Sequence, residues 1–379
     1  MIERRGLSPL LRTTTGFLIV GFICLVFADV AVSTVDPWRE FSRLLEGLVT
    51  PDFYRTESIA LSIAYTLAFA FLGVSLANVF GFVLALIFHR RIVRVGCAFV
   101  RAIHELFWAL IFLQMFGLSP LTGVLAIAIP YAGIIAKVYA EILEEADQRP
   151  LAAVPVGTSN LSTFIFVRLP DAWAHFRTYS MYRLECGLRS SAVLGFIGLP
   201  TIGFHLETAF KEGHYSEVSA LLILFYLVIA TMRVWMKKKL LPIYLIGAAM
   251  ILPWGVAFSL SNIARFLTED IIPYPLRSGG ENMIAAFGDW LSMLLVDQAL
   301  PGTVATIQLT MIALVATGFL TLVFFPLISP LLLRRAPRSG GHIFLVIVRS
   351  TPEYILAFVL LNLWGPSMLP AIVALSLHN

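Results

Sequence analysis

The stretch Ser58–Phe88, SIALSIAYTLAFAFLGVSLANVFGFVLALIF, decides the fold class because it contains no charged residue. A helix needs about 20 consecutive apolar residues to cross the hydrocarbon core of a membrane, and this stretch is longer. Inside that core every backbone N–H and C=O must be hydrogen-bonded within the protein, which a helix achieves with its own residues. The stretch therefore predicts a membrane-spanning helix.

The rest of the chain has the same character. Of its 379 residues, 59% are hydrophobic and 13% are charged, whereas soluble domains average about 45–50% and about 25%. The sequence therefore predicts an all-α, polytopic bundle of transmembrane helices. The predicted spans are Thr13–Ser33, Ser58–Phe88, Val95–Gly117, Leu121–Leu143, Tyr179–Gly198, Val218–Met236, Leu241–Leu260, Val304–Leu333, Ile343–Trp364 and one that begins at Met368.

Short clusters of basic residues separate the apolar stretches. Cytoplasmic loops are enriched in Lys and Arg, and each cluster falls at an end that alternating spans place in the cytoplasm. We therefore expect a bacterial inner-membrane protein with a cytoplasmic N-terminus, whose net charge of +4 reflects orientation rather than nucleic-acid binding. The clusters are Arg4/Arg5/Arg12, Arg90/Arg91/Arg94, Arg149/Arg168/Arg177/Arg183, Arg233/Lys237/Lys238/Lys239 and Arg334/Arg335/Arg338.

An internal repeat relates two parts of the chain. The pattern Arg101-x3-Glu105 recurs 248 positions later as Arg349-x3-Glu353, and upstream matches have a shift of 244. Matching spans have the same predicted direction, so we expect a parallel tandem repeat, a feature of many transporters. Nothing matches residues 132–240, so the second copy is incomplete. We expect the missing half to come from a longer chain or from elsewhere.

Three regions follow from this pattern. Residues 1–54 contain an N-terminal span and a periplasmic amphipathic segment, and residues 55–240 form the first transmembrane domain. Residues 241–379 form the incomplete second repeat. Within the first domain, residues 144–178 interrupt the apolar pattern on the predicted cytoplasmic side.

This cytoplasmic segment predicts two short helices. We expect Gly157 to end the first, Ser159 or Asn160 to cap the second, and Pro170 to end it. The segment resembles the EAA loop of ABC importer permeases. The residues that keep the register of that motif are Ala152, Ala153, Gly157, Val167, Leu169 and Pro170.

The resemblance implies a type I ABC importer permease fold, in which this loop docks in a groove of the ATPase subunit and couples nucleotide-driven movement to transport. Small residues let the backbone of such a loop lie close to its partner. Two positions depart from the motif, because Leu151 stands where the motif has Glu and Pro155 lies where the family continues a helix.

The run Tyr182–Gly198, YRLECGLRSSAVLGFIG, resembles the phosphonate-import permease family, as do Arg349–Glu353 and Ala374–His378. This resemblance implies a permease subunit of a binding-protein-dependent importer for phosphonate or a related phosphorus oxyanion. It also implies partners: cytoplasmic ABC ATPase subunits, which we expect to number two, a periplasmic solute-binding protein and membrane lipid.

Charged residues within the predicted spans are candidates for function because charge in a membrane usually faces a protein interior or a water-filled path. Arg101 and Glu105 are spaced to pair on one helix face, as are Arg349 and Glu353, and we interpret both as structural ion pairs. The predicted substrate path comprises Glu185, Arg189, Ser190 and Ser191, since a guanidinium beside hydroxyl groups suits an oxyanion. A plain Glu185–Arg189 ion pair is the alternative.

Several function classes lack their sequence signals. The chain has no GxxxxGK[ST] phosphate-binding loop, so we expect ATP to be bound by a partner subunit rather than as a cofactor of this chain. Cys24, Cys97 and Cys186 do not have the spacing of a metal site. We therefore predict a transporter subunit and not an enzyme. A secondary transporter without an ATPase partner is the main alternative, and a membrane enzyme is a weaker one.

Overall fold

The computed structural model describes residues 8–34, 36–147, 149–255, 259–277 and 282–378. Arg4, Arg5 and the side chains of Arg233, Lys238 and Arg349 lie outside the described residues. Within the described ranges the regular elements are helices. They are α1 Pro9–Phe27, α2 Pro37–Val49, α3 Ile59–Leu86, α4 Arg91–Ala102, α5 Glu105–Phe116, α6 Pro120–Glu145, α7 Arg149–Ala152, α8 Asn160–Thr163, α9 Leu169–Val193, α10 Ile202–Lys211, α11 Tyr215–Ala230, α12 Met232–Trp235, α13 Leu241–Ile251, α14 Leu260–Arg265, α15 Tyr274–Arg277, α16 Met283–Ser292, α17 Leu300–Phe324, α18 Arg335–Ser350, α19 Glu353–Trp364 and α20 Met368–His378.

Three of these helices begin with the same local signal, a capping side chain followed by proline. The side chain accepts a hydrogen bond from the amide three residues later, and proline at the first helical position has no N–H to leave unsatisfied. The pairs are Ser8-Pro9 for α1, Asp36-Pro37 for α2 and Ser119-Pro120 for α6.

Among the described residues, four helical segments are long and apolar enough to cross a membrane: Pro9–Phe27, Ile59–Leu86, Pro120–Glu145 and Met283–Leu327. Three bent pairs raise the number to as many as seven. The pairs are Arg91–Ala102 with Glu105–Phe116 at 92°, Asn160–Ile197 with Ile202–Lys211 at 55°, and Arg335–Val348 with Glu353–Trp364 at 88°.

The ten predicted spans each overlap one of these segments, one of the bent pairs, or one of the shorter apolar helices α11, α13 and α20. The predicted spans Val95–Gly117 and Ile343–Trp364 each contain a sharp bend that the sequence analysis does not predict. In the second case Pro352 disfavours helical backbone at the residue before it. In the first case the His104 side chain caps α5 by accepting the amide hydrogen bond of Leu106 at 3.2 Å.

One compact unit comprises Pro51–Glu212 and Glu217–Thr268. Its centre is the long contact between α3 and α6, where glycines allow the helix backbones to approach closely. A Cβ atom built on Gly73 would lie 2.9 Å from Ile127 Cβ, and one on Gly81 would lie 2.6 Å from Ile135 Cγ2. α9 packs against both α3 and α6.

The other unit comprises Met1–Thr50, Gly213–Ser216 and Glu269–Asn379. In it α1 packs on α17, and α20 packs on α17 and α19. The segment after α1 is fixed by two backbone hydrogen bonds, from the Ser33 amide to the Trp364 carbonyl at 2.8 Å and from the Met368 amide to the Asp29 carbonyl at 2.9 Å.

Helix boundaries in the two units correspond in sequence. α5 and α19 begin 248 positions apart, at Glu105 and Glu353, and they end with the same shift. Each is followed by a glycine with positive φ, 66° at Gly117 and 83° at Gly365. The tandem repeat stays a prediction, and these boundaries agree with it.

Candidate functional site

The segment that resembles the EAA loop contains two four-residue helices, α7 and α8, joined by a turn. Gly157 lies in the turn with φ of 94°, a backbone conformation that favours glycine. Ser159 caps α8, and its Oγ accepts a hydrogen bond from the Ser162 amide at 3.1 Å. Ahead of α7, the Arg149 guanidinium hydrogen-bonds the Asp147 carboxylate at 2.8 Å and holds the pKa of that carboxyl below its usual range.

The prediction that Pro170 ends the second helix is wrong. A π-helical turn, Phe164–Arg168, follows α8 and contains Val167, and Leu169 and Pro170 are the first residues of α9. The Leu169 amide bonds the Phe164 carbonyl across this wider turn. Proline in a regular helix clashes with the carbonyl four residues earlier, and the π turn changes the backbone where that clash would occur. The helical path therefore continues from Asn160 to Ile197.

The surface of this segment is apolar for a loop outside the predicted spans. Leu161 is 68% exposed and Phe166 is 77% exposed. Ala152, Ala153 and Gly157 are exposed as well, and nothing lies within 4 Å of a Cβ built on Gly157. An open groove of about 490 Å³ runs between α7 and α8. It is lined by Pro150, Ala153, Val154, Pro155, Thr158, Ser162, Thr163, Phe166 and Val167. Exposed apolar surface of this kind is typical of a site of contact with another protein or with a membrane.

Arg101 and Glu105 do not share a helix face. Arg101 lies in the last turn of α4, Glu105 begins α5, and the two helices bend by 92° between them. The Glu105 carboxylate instead accepts a hydrogen bond from Ser190 Oγ at 2.7 Å and lies 3.7 Å from His104 Nε2. The interpretation of these two residues as a helical ion pair is therefore wrong, because the intervening bend removes the spacing on which it rests.

The second predicted ion pair is Arg349–Glu353, and the Arg349 side chain lies outside the described residues. Glu353 begins α19 after a similar bend, and its Oε2 lies 3.6 Å from His378 Nε2. The other ring nitrogen of His378 lies 2.9 Å from the Thr351 carbonyl. In both units, a glutamate that follows a helix bend thus faces a histidine.

The four residues of the predicted substrate path do not form one cluster. Ser190 Oγ is hydrogen-bonded to Glu105 and to the Tyr131 hydroxyl at 2.9 Å, and Ser191 Oγ donates to the Leu188 carbonyl at 2.8 Å. Both serines are buried. Ser190 and Ser191 follow Arg189 in sequence but lie on other sides of the helix, because successive helical residues project about 100° apart.

Glu185 and Arg189 lie together on the outer side of α9 and are half-buried. Among the described residues, no ion pair shorter than 4.0 Å joins these two side chains. The alternative interpretation, a Glu185–Arg189 ion pair, is therefore also wrong in this structure. The Nη2 atom of Arg189 donates to Cys186 Sγ at 3.3 Å. Residues at the same helical position above and below continue a polar stripe. The stripe comprises His175, Thr178, Tyr182, Glu185 and Arg189.

Arg183, which belongs to a predicted cytoplasmic basic cluster and also to the predicted span Tyr179–Gly198, lies within α9. Its guanidinium carbon lies 5.7 Å from the ring centre of Tyr131, close to the middle of the 26-residue helix α6. Tyr179 and Tyr182 also face it, at 5.1 Å and 5.4 Å. The two tyrosines at positions four and one before Arg183 were a readable signal, whereas the contact with Tyr131 depends on the packing of two helices.

A second polar group occupies the same helix interface, closer to the loop. The Tyr139 hydroxyl donates to Asn78 Oδ1 at 2.6 Å, and Ser180 Oγ donates to the same oxygen at 2.9 Å. These bonds join α3, α6 and α9. In the part of the chain that the structure describes, no group of three His, Cys, Asp or Glu side chains has the geometry of a metal site.

The chain is 30% identical over 203 residues to the phosphite transport system permease protein PtxC of Stutzerimonas stutzeri. The matched part covers 51% of this chain and 74% of that protein. The chain belongs to the family of phosphite and phosphonate transport permeases. The chain described here is also 28% identical over 214 residues to the phosphate-import permease protein PhnE of Mycolicibacterium smegmatis. That match covers 54% of this chain and 40% of that protein. No family model and no solved structure matches the chain.

Proposed function

We propose that this chain is the membrane-spanning permease subunit of an ATP-driven importer for phosphonate or a related phosphorus oxyanion. The observation that carries the proposal is the similarity over 203 residues to a phosphite transport permease. A second relative is named for phosphate import. The three anions share a tetrahedral phosphorus centre with negatively charged oxygens, so one path serves the whole class.

The proposed architecture is a type I ABC importer permease fold with a parallel tandem repeat. Its parts are residues 1–54, the transmembrane domain 55–240, and an incomplete second repeat in residues 241–379. The equal shift of both ends of α5 and α19 supports the repeat.

The proposed energy source is a pair of cytoplasmic ABC ATPase subunits that dock on the loop between α6 and α9. The exposed apolar side chains of Leu161 and Phe166 and the groove beside Ala153 support this assignment. The N-terminus then lies in the cytoplasm of a bacterium. A periplasmic solute-binding protein delivers the anion on the opposite side of the inner membrane.

Uptake by intact cells tests the proposal. A bacterial host that lacks its own phosphate, phosphite and phosphonate importers receives the chain together with its ATPase and binding protein. Labelled phosphite, phosphate and 2-aminoethylphosphonate are supplied separately, and omission of the ATPase gene is the matched control. We expect ATPase-dependent uptake of at least one anion. Uptake of none of them contradicts the proposed substrate class.

The same cells separate an ATP-driven importer from a secondary transporter. A protonophore that collapses the proton gradient abolishes proton-coupled uptake directly, whereas uptake driven by ATP continues as long as cellular ATP is maintained by fermentation. Uptake that needs no ATPase gene and stops with the protonophore would establish the secondary transporter instead.

A further inference from the structure

Arg183 has an unusual environment for a charged residue at mid-depth in a helical bundle. Three tyrosine rings lie within 6 Å of its guanidinium carbon, from Tyr131 on α6 and from Tyr179 and Tyr182 on α9. Its Nε donates to the Tyr179 hydroxyl at 2.7 Å. A guanidinium has five N–H donors, and in the described ranges this is the one hydrogen bond that Arg183 makes. The N–H groups of both terminal nitrogens, Nη1 and Nη2, are therefore available to donate hydrogen bonds to a ligand.

The charge of Arg183 is not balanced by a carboxylate. The ion pairs within 4.0 Å in the described part of the chain do not include it. The Glu105 carboxylate accepts a hydrogen bond from Ser190, which is in turn bonded to the Tyr131 hydroxyl, and its ion-pair contact among the described residues is with His104 and not with Arg183. Aromatic rings stabilise a cation but carry no net negative charge. An unbalanced guanidinium in a membrane is costly, which favours an anion as its transient partner.

The site borders an exposed polar surface of α9. Tyr182 belongs both to the tyrosines around Arg183 and to the polar stripe of α9, and it is 39% exposed. The stripe continues from it towards Glu185 and Arg189 on one side and towards Thr178 on the other. A polar stripe on a spanning helix faces a water-filled path or another protein surface rather than lipid. An anion moving along α9 therefore passes Arg183.

We infer that Arg183, oriented by Tyr179 and Tyr182, binds the oxygens of the transported phosphorus oxyanion within the translocation path. The inference rests on the proposed function and adds a residue to it. A guanidinium binds two oxygens of such an anion with two parallel N–H···O hydrogen bonds. Phosphite, phosphate and alkylphosphonates share those oxygens and differ in the fourth substituent, so Arg183 recognises the class and not the individual anion.

The test uses the assembled transporter, with its ATPase subunits, in lipid nanodiscs. Equilibrium binding of labelled phosphite, phosphate and methylphosphonate is measured without the binding protein, and uptake is measured in cells. The variants are Arg183→Gln, Arg183→Lys and Tyr179→Phe. The matched control is Arg177→Gln, which removes one positive charge from an exposed position of the same helix.

We expect Arg183→Gln to weaken binding of every anion that the wild type binds by about 10- to 100-fold, as for loss of charge-assisted hydrogen bonds, and to lower uptake in parallel. Arg183→Lys keeps the charge but loses the two-pronged geometry, so it falls between Arg183→Gln and the wild type. Tyr179→Phe frees Nε and weakens binding less than Arg183→Gln does. Arg177→Gln binds as the wild type does.

Three results would overturn the inference. One is wild-type binding and uptake by Arg183→Gln. Another is an effect on only one of several anions that the wild type binds, since the shared oxygens are then not the contact. The third is failure of both Arg183 variants to accumulate in the membrane, which would make the guanidinium a packing residue. Failure of the wild-type transporter to import any of the anions would contradict the proposed function instead.

Discussion

Replacement of Gly157 by alanine tests the role of the loop between α6 and α9. Gly157 has φ of 94°, and nothing lies within 4 Å of a built Cβ, so the substitution introduces no side-chain clash. Its cost is confined to the backbone and amounts to about 1–2 kcal/mol for an L-residue at positive φ. That energy lowers the ratio of the native turn to alternative turns by about 5- to 30-fold. If the ATPase recognises only the native turn, its apparent affinity falls in proportion to the fraction of molecules that keep the turn, and by no more than that factor.

The assay is a titration of purified ATPase subunits against the permease in nanodiscs. Gly157→Asn is the matched variant, because asparagine adopts positive φ more readily than alanine, and we expect it to bind the ATPase more tightly than Gly157→Ala. Gly318→Ala, in α17, is a control for the mutation itself, since its site is open and its backbone is helical. Unchanged ATPase affinity in Gly157→Ala would refute the proposed docking surface.

Two further substitutions test the packing that holds the candidate site. Gly81→Ala places a methyl group 2.6 Å from a branched side chain of α6, so we expect a loss of about 1–3 kcal/mol in unfolding free energy, measured by denaturation in detergent micelles. Gly96→Ala, which has open space around it, should not show that loss. Tyr139→Phe removes the hydroxyl that bonds Asn78, and we expect it to cost about 1 kcal/mol in the same measurement. Tyr65→Phe is its control, and equal effects of the two would contradict a role for the hydroxyl.

The apolar pattern of the sequence predicted the helices well. Burial of a helix in lipid depends on the composition of that helix more than on the residues against which it packs. The same pattern predicted the bends of the helices poorly. Pro352 is a visible cause of the bend before α19, but no proline or glycine marks the equivalent bend before α5. At that bend the Leu106 amide donates its hydrogen bond to the His104 side chain instead of to a backbone carbonyl. A histidine in an apolar stretch does not predict that role by its identity alone.

The candidate site was predicted in part. Resemblance to a family led to the prediction of a substrate path on α9, and two of its residues, Glu185 and Arg189, lie on the polar stripe of that helix. Arg183 is not among the predicted site residues, because a basic residue near other basic residues is ordinarily a marker of the cytoplasmic side. Its contact with Tyr131 depends on the packing of α9 against α6, which involves residues far apart in sequence.

The continuous helix from Asn160 to Ile197 gives the loop and Arg183 a physical connection. If Pro170 had ended a short helix, a hinge would separate the proposed ATPase contact from the span. Instead α8, the π turn and α9 form one helical path, and Arg183 lies 23 residues beyond its first residue. At about 1.5 Å per residue, the two sites are about 35 Å apart along that path. If an ATPase docks on the loop as proposed, a tilt of the loop is transmitted along this helical path towards the guanidinium, and the π turn Phe164–Arg168 is the one point between α8 and Arg183 where the helix geometry changes.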